Sequence, residues 1–423
     1  MSEDRTEHHG WRVTLAGTGI NLALGVLYTW SVISGSIPDA WGWTKADKAL
    51  PYAVACFIFS LAMVPAGRLQ DRIGPRWVAT IGGLFIGLGC IVAGLAGSSL
   101  AGFVVGFGLL AGIGIGFGYA SATPPAVKWF PPAKTGMIAG IVVAGFGLAS
   151  VYVAPLATAL LNAFANGGQK GVSSTMLVFG VLFLVVVVLL SQLLKNPPPG
   201  YVPGGTVSPA GKKDPVAKPP DVSWNQMMKT LQFWVLWIMY FFGAGVGLML
   251  ISIAAPLGKK SLGDAAFFAV VVLAVGNAGG RILAGTLSDK IGRQWTLFLV
   301  YVLQAVMAVL LLGIEKNAAA LLVVLLIAGG NYGANLALFP AVTKDYFGLK
   351  GFGLNYGILF TAWGFGGLAL PYLCGRIQDI YGTPNPVFKL ACGLLIVAAL
   401  LTFVSRSIAA KESTTAVQPA LSR

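Results

Sequence analysis

Charge is what this 423-residue sequence has least of: 10% of its residues are Asp, Glu, Lys or Arg, against 56% that are hydrophobic. A water-soluble chain of that length needs far more charge on its surface, so a soluble globular protein is excluded. Histidine occurs twice, at His8 and His9, and cysteine four times, at Cys56, Cys90, Cys374 and Cys392. The cysteines fall singly in or beside apolar runs without metal-ligand spacing, so neither a zinc site nor a disulfide framework is expected. HExxH is missing, as are a nucleophile with a nearby base and paired carboxylates inside an apolar run; no enzyme and no cofactor are expected. Lys and Arg outnumber Asp and Glu by 28 to 14, but they are scattered singly through the loops. Contact with anionic lipid explains that excess, and no nucleic-acid partner is expected.

What the sequence does have is long apolar runs. At about 1.5 Å of helical rise per residue, ~20 apolar residues cross a hydrocarbon core of roughly 30 Å. Twelve runs qualify, over 12–35, 51–68, 77–96, 100–123, 136–160, 173–194, 230–254, 265–288, 295–314, 318–340, 353–373 and 388–405. The fold class is therefore an all-α membrane protein with twelve transmembrane helices. The opening MSEDRTEHHGW is mixed in charge and has no short apolar core with a small-residue cleavage site, so no removable signal peptide is expected. With both termini cytoplasmic, 19 of the 28 basic residues fall in inner segments and 8 in outer ones, the bias that orients membrane helices.

Between the sixth and seventh runs lies KNPPPGYVPGGTVSPAGKKDPVAKPPDVSW, rich in Pro, Gly and Lys, which reads as a flexible inner linker. It divides the chain into a first six-helix bundle over 1–195, a linker over 196–229, a second bundle over 230–410 and a tail over 411–423. An internal repeat supports the division. GRLQDRIGPR at 67–76 and GTLSDKIGRQ at 285–294 share G-x-L-x-D-[RK]-I-G at an offset of 218 residues. PAVKWFPPAKTG from Pro125 answers PAVTKDYFGLKG from Pro340, and GFG at 145–147 answers GFG at 364–366. Three pairs in order at near-constant spacing imply a duplicated six-helix unit with a pathway between the copies.

The G-x-L-x-D-[RK]-x-G-[RP] element in both copies resembles the signature loop of the major facilitator superfamily. GVLYTWSV, GIGIGFGYA, KWFPPAKTGMIAGIVVAGFG, TLQFWVLW and GGRILAGTLSDKIGR are similar to stretches of the monocarboxylate porters and the bacterial oxalate-formate exchanger group. The resemblance implies two pseudo-symmetric bundles and secondary active transport by alternating access in a bacterial cytoplasmic membrane. It implies gating roles at the inner face for Asp71, Arg76, Asp289 and Arg293, whereas taken alone these would be ordinary charged turns that stop helices.

One ionisable residue, Arg281, lies well inside an apolar run. A charge at mid-bilayer costs about 2.5–3.5 kcal/mol even on lenient scales and normally faces a cavity or a partner. Snorkelling to the surface would need a reach of roughly 12 Å. No Asp or Glu lies deep enough to be a permanent counter-ion, so the expected partner is cargo: a carboxylate, which the planar guanidinium meets with two donors. Asn277, one turn away, shares its face. By resemblance the pathway is lined by Tyr28 in span 1, Tyr119 in span 4, Tyr332 and Asn335 in span 10, and Phe360 and Trp363 in span 11; the plain alternative for each is packing.

The exchanger pattern places a lysine where this chain has Trp363, so a single buried cation favours a monocarboxylate such as lactate or pyruvate. Proton symport is the coupling implied by the porters. Many of them, however, carry an aspartate at the position of Asn277, and the alternative is carboxylate/carboxylate exchange. The expected partners are thus a small monocarboxylate with a proton, and membrane lipid. The sequence does not set the oligomeric state, and a monomer suffices.

Overall fold

The computed structural model describes residues 3–131, 134–167, 170–198, 201, 221–314, 317–348 and 351–417. In lipid a backbone must satisfy its own N–H and C=O groups, and an isolated apolar run does so only as a helix. Among the described residues, twelve helices are long and apolar enough to cross a membrane, and they define an integral multi-pass membrane protein. Spans 1 to 6 are His8–Gly35, Lys45–Ile73, Pro75–Leu95, Leu100–Val127, Met137–Ala163 and Val172–Ser191. Spans 7 to 12 are Leu231–Ala265, Phe267–Ile291, Arg293–Leu310, Ala318–Phe347, Phe352–Tyr381 and Asn385–Ile408. An even number of spans brings both ends of the chain to one face of the bundle, here termed the termini face; the other is the far face.

The repeated loop has one geometry in both copies. Span 2 ends at Gly74, with φ 86° and ψ 162°, and span 8 ends at Gly292, with φ 88° and ψ 155°. Each glycine N–H closes its helix on the carbonyl four residues back, Gln70 at 2.9 Å and Ser288 at 3.0 Å. A β-carbon is strained in this backbone region, which explains why the pattern ends in glycine. The copies differ one residue later, where Pro75 stands in the first and Arg293 in the second.

Two regions depart from the expected boundaries. Residues 199–200 and 202–220 of the linker lie outside the described residues. Its last part is not free chain: Ser223 and Gln226 form a capping box on a helical turn, Trp224–Met227, and the Val222 carbonyl accepts from Asn355 at 2.9 Å. The final helix runs to Val417, so the first residues of the expected tail are helical. AAKEST holds neither glycine nor proline to stop it.

Small residues set how closely the spans approach. Along span 11, Gly364, Gly367 and Gly375 face Ser60, Cys56 and Ala46 of span 2. Spans 8 and 10 touch backbone to backbone: a β-carbon at Gly329 would overlap the Leu273 carbonyl, and one at Gly276 the Leu326 carbonyl. Without a hydrophobic drive between helices in lipid, such close packing is a main source of association. Gly329→Val is therefore expected to destabilise by about 1–3 kcal/mol or more through overpacking, lowering the melting temperature in detergent. Gly285→Ala, where nothing lies within 4 Å, is expected to be neutral or stabilising by up to ~1 kcal/mol.

Candidate substrate-binding site

Arg281 points across the interface between the first and last six spans, not toward lipid. On span 8 its neighbours Ile282 and Leu283 are 68% and 70% exposed and form the outward face. The guanidinium turns the other way: Nη1 donates to the Val143 carbonyl of span 5 at 3.0 Å, and Nε donates to Asn277 Oδ1 at 3.2 Å. Gly147 leaves the space in front of it; a β-carbon there would sit 3.6 Å from both Arg281 Nη2 and Asn277 Nδ2. The Tyr119 hydroxyl interacts with the same guanidinium. Its hydrogen-bonding partners are thus neutral, and no carboxylate pairs with it among the described residues.

Asn277 is fully buried, and its Nδ2 has no hydrogen-bond partner. A buried amide donor left unpaired costs about 1–3 kcal/mol. It opens beside a narrow cleft lined by Tyr28, Ser150, Ala274 and Asn277. Its Nδ2 and Arg281 Nη2 each lie 3.6 Å from where a β-carbon of Gly147 would stand, so one neutral and one charged donor flank the same point, a pairing suited to an anion with two oxygens.

Aromatic rings close the rest of the centre. The Tyr28 hydroxyl meets the Tyr332 hydroxyl at 2.6 Å, joining the first half of the chain to the second, and Trp363 Nε1 donates to Tyr332 at 2.9 Å. Phe360 stacks on Trp363 with ring centres 5.0 Å apart. Of the residues expected to line the pathway, the structure gathers Arg281, Asn277, Tyr119, Tyr28, Tyr332, Phe360 and Trp363 into this region. It does not bring Asn335 there: its Nδ2 donates to the Asn331 carbonyl at 2.8 Å, and its Oδ1 lies against Gly243 beside Tyr301, inside the packing of spans 7, 9 and 10. The i to i−4 bond turns the amide away from the interface.

Sequence reasoning missed Phe146, Phe59 and Tyr356. Phe146 packs against Tyr28 at 4.9 Å and Tyr119 at 5.3 Å, Phe59 against Trp363 at 5.2 Å, and Tyr356 against Phe360 at 5.7 Å. Phe146 is the middle residue of the repeated GFG, a signal that was visible but read only as evidence of duplication. Phe59 and Tyr356 carry no motif that would distinguish them from core.

The residues expected to gate fall into unlike copies. Arg293 bonds Asp289 at 2.6 Å and Asp345 at 3.1 Å, and also donates to Ser288, tying the ends of spans 8, 9 and 10 together. In the first copy Pro75 replaces the arginine and Phe130 stands where Asp345 would be. Asp71 and Arg76 are exposed there, and Arg76 lies over the Trp77 ring at 5.5 Å. None of these contacts crosses between the halves of the chain.

A crossing contact exists at the far face. Both Asp379 oxygens, from the end of span 11, accept from the first N–H groups of span 2, Lys45 at 2.6 Å and Ala46 at 3.0 Å. Thr44 and Asp47 complete the cap. A carboxylate at a helix N-terminus satisfies orphan donors and complements the dipole.

Twelve spans with one charge held at the interface of their two halves fit a secondary carrier rather than a channel or an enzyme. The chain belongs to the Major Facilitator Superfamily, whose pattern it matches over residues 15–371 and again over 261–420. It is similar to the oxalate:formate antiporter of Oxalobacter formigenes, 29% identical over 384 residues and covering 90% of this chain and 87% of the relative. Monocarboxylate transporter 11 of Homo sapiens is 26% identical over 399 residues, covering 92% and 81% of the two chains. Among solved structures, an inward-facing, occupied bacterial homolog of the human lysosomal transporter Spinster shares the fold, with a TM-score of 0.72, 18% identity, and coverage of 96% and 98%.

Removing the far-face tie should change access to the cavity beside it, which Ser31, Lys45 and Gln378 line. With Asp379→Asn, alkylation of a cysteine placed at Ser31 is expected to speed up by as much as about tenfold, the equivalent of ~1.4 kcal/mol. An unchanged rate would mean that the carboxylate caps span 2 without holding the halves together.

Proposed function

We propose that the protein carries small monocarboxylates across the membrane by alternating access, with Arg281 as the anchor for the carboxylate. The observation that carries this reading is a partly buried guanidinium whose partners are all neutral, beside the unpartnered Asn277 amide. A bound carboxylate would satisfy both donors and neutralise the charge. Tyr28 and Tyr119 supply hydroxyls, and Phe146, Phe360 and Trp363 an apolar wall, which suits a short organic acid better than an inorganic anion. The relatives named for oxalate, formate and monocarboxylates support the same substrate class.

The single cation sets the valence. Trp363, wedged between Phe59 and Phe360, offers no second positive charge, and an additional carboxylate would remain unpaired at a cost of several kcal/mol. Arg281→Gln is expected to abolish uptake of labelled lactate into proteoliposomes, and Arg281→Lys to retain a small residue, since a point charge cannot replace the fork. Trp363→Lys is expected to shift competition toward dicarboxylates such as oxalate. If selectivity in a panel of short carboxylates is unchanged, the valence argument fails.

Inward movement of an anion against an interior-negative potential costs about 2.3 kcal/mol per charge per 100 mV, so flux needs a proton or an exchanged anion. Proton symport is the first reading; the proton would travel with the acid or along the Tyr28–Tyr332 hydroxyl pair. Exchange is favoured by one specific observation, the lack of a titratable carboxylate beside Arg281 among the described residues. An outside-acid pulse should drive uptake into empty vesicles under symport. Uptake that requires vesicles preloaded with carboxylate would establish exchange instead.

A further inference from the structure

The far face holds a cavity of about 960 Å3 between spans 1, 2, 5, 7 and 11. Five lysines line it, Lys45, Lys48 and Lys259 among them, against two aspartates, Asp39 and Asp264. The nearby carboxylates are engaged elsewhere. Asp47 accepts from Thr44, and Asp379 accepts from the Lys45 and Ala46 backbone.

Lys48 is the unusual member. Its side chain is only 13% exposed, yet its ammonium makes one hydrogen bond, to the Ile37 carbonyl at 3.1 Å, and lies 3.8 Å from Asp39, whose side chain is fully exposed. An ammonium has three donors, so capacity remains. Lys45 and Lys259, one from each half of the chain, are both exposed and both close enough to oppose its charge. Neither has an ion-pair partner among the described residues. Three like charges gathered around one cavity raise the local concentration of anions.

We propose that this cavity is a second anion site, in which Lys48, Lys45 and Lys259 hold a small carboxylate from solution before it reaches Arg281. Neither Arg281 nor any residue lining the narrow cleft at Tyr28, Ser150 and Asn277 lines this cavity, so the outer site is expected to fill and empty without the inner one. Ammonium groups act as point charges rather than forks; the site therefore selects for charge and small size, and discrimination is left to Arg281. The choice of carboxylate as the ligand rests on the proposed function.

The test uses the full chain in nanodiscs, with Cys392→Ser and a reporter at Ala40, an exposed residue on the cavity wall. Acetate replaces chloride at constant ionic strength while an anionic methanethiosulfonate modifies Ala40→Cys. At twice its dissociation constant, acetate is expected to slow the reaction about threefold. The protection should persist in Arg281→Gln and disappear in Lys48→Gln and in Lys45→Gln with Lys259→Gln. Loss of protection in Arg281→Gln, its survival in the lysine variants, or no protection at all overturns the proposal. Protection in a protein that moves no carboxylate would instead sink the transport reading and leave this site standing.

Discussion

A positive charge that cannot be removed, placed where no negative side chain among the described residues reaches it, governs this molecule. Arg281 stays protonated in any physiological setting, so its energy is set by what it can touch. Here that is a backbone carbonyl from span 5 and an amide from its own helix. These acceptors hold the charge without cancelling it. The surrounding architecture follows: Gly147 clears the space, Phe146 packs against both Tyr28 and Tyr119 beside it, and the side of span 8 turned outward at this level carries the apolar Ile282 and Leu283.

The two halves of the chain are copies in backbone but not in chemistry. Gly74 and Gly292 reproduce one another to within a few degrees, while the ion cluster around Arg293 exists only in the second copy. At the other end of the bundle, a single carboxylate from span 11 caps span 2, and no acidic residue occupies the corresponding end of span 5, where Leu160, Leu161 and Asn162 stand. Duplication supplied the frame, and later divergence made each end of it lopsided.

Much of the fold was legible because its causes are local. Twelve apolar runs, two matching loops and the lone Arg281 can all be counted in one dimension, and the helices extend the apolar runs by up to about three turns. The site was legible in part. Asn277 followed from helical spacing alone, and Tyr119, Tyr28, Tyr332 and Trp363 from likeness to known carriers. Asn335 was misplaced because that likeness assigns a span, whereas the rotation of an amide is decided by the nearest free carbonyl. Phe59 and Tyr356 were invisible for the opposite reason: an aromatic ring in an apolar helix looks the same whether it faces core or cargo.

The bond between Tyr28 and Tyr332 has a further meaning for motion. An indole nitrogen can only donate, so Trp363 takes one acceptor position on the Tyr332 oxygen, which still meets the Tyr28 hydroxyl at 2.6 Å. The first of these bonds lies within the second half of the chain and survives when the halves part; the second spans the seam and must open. Rocking at the centre thus breaks the Tyr28–Tyr332 hydroxyl contact together with the charged bond from Arg281 to the Val143 carbonyl, so the seam at this level is held by one neutral and one ionised donor.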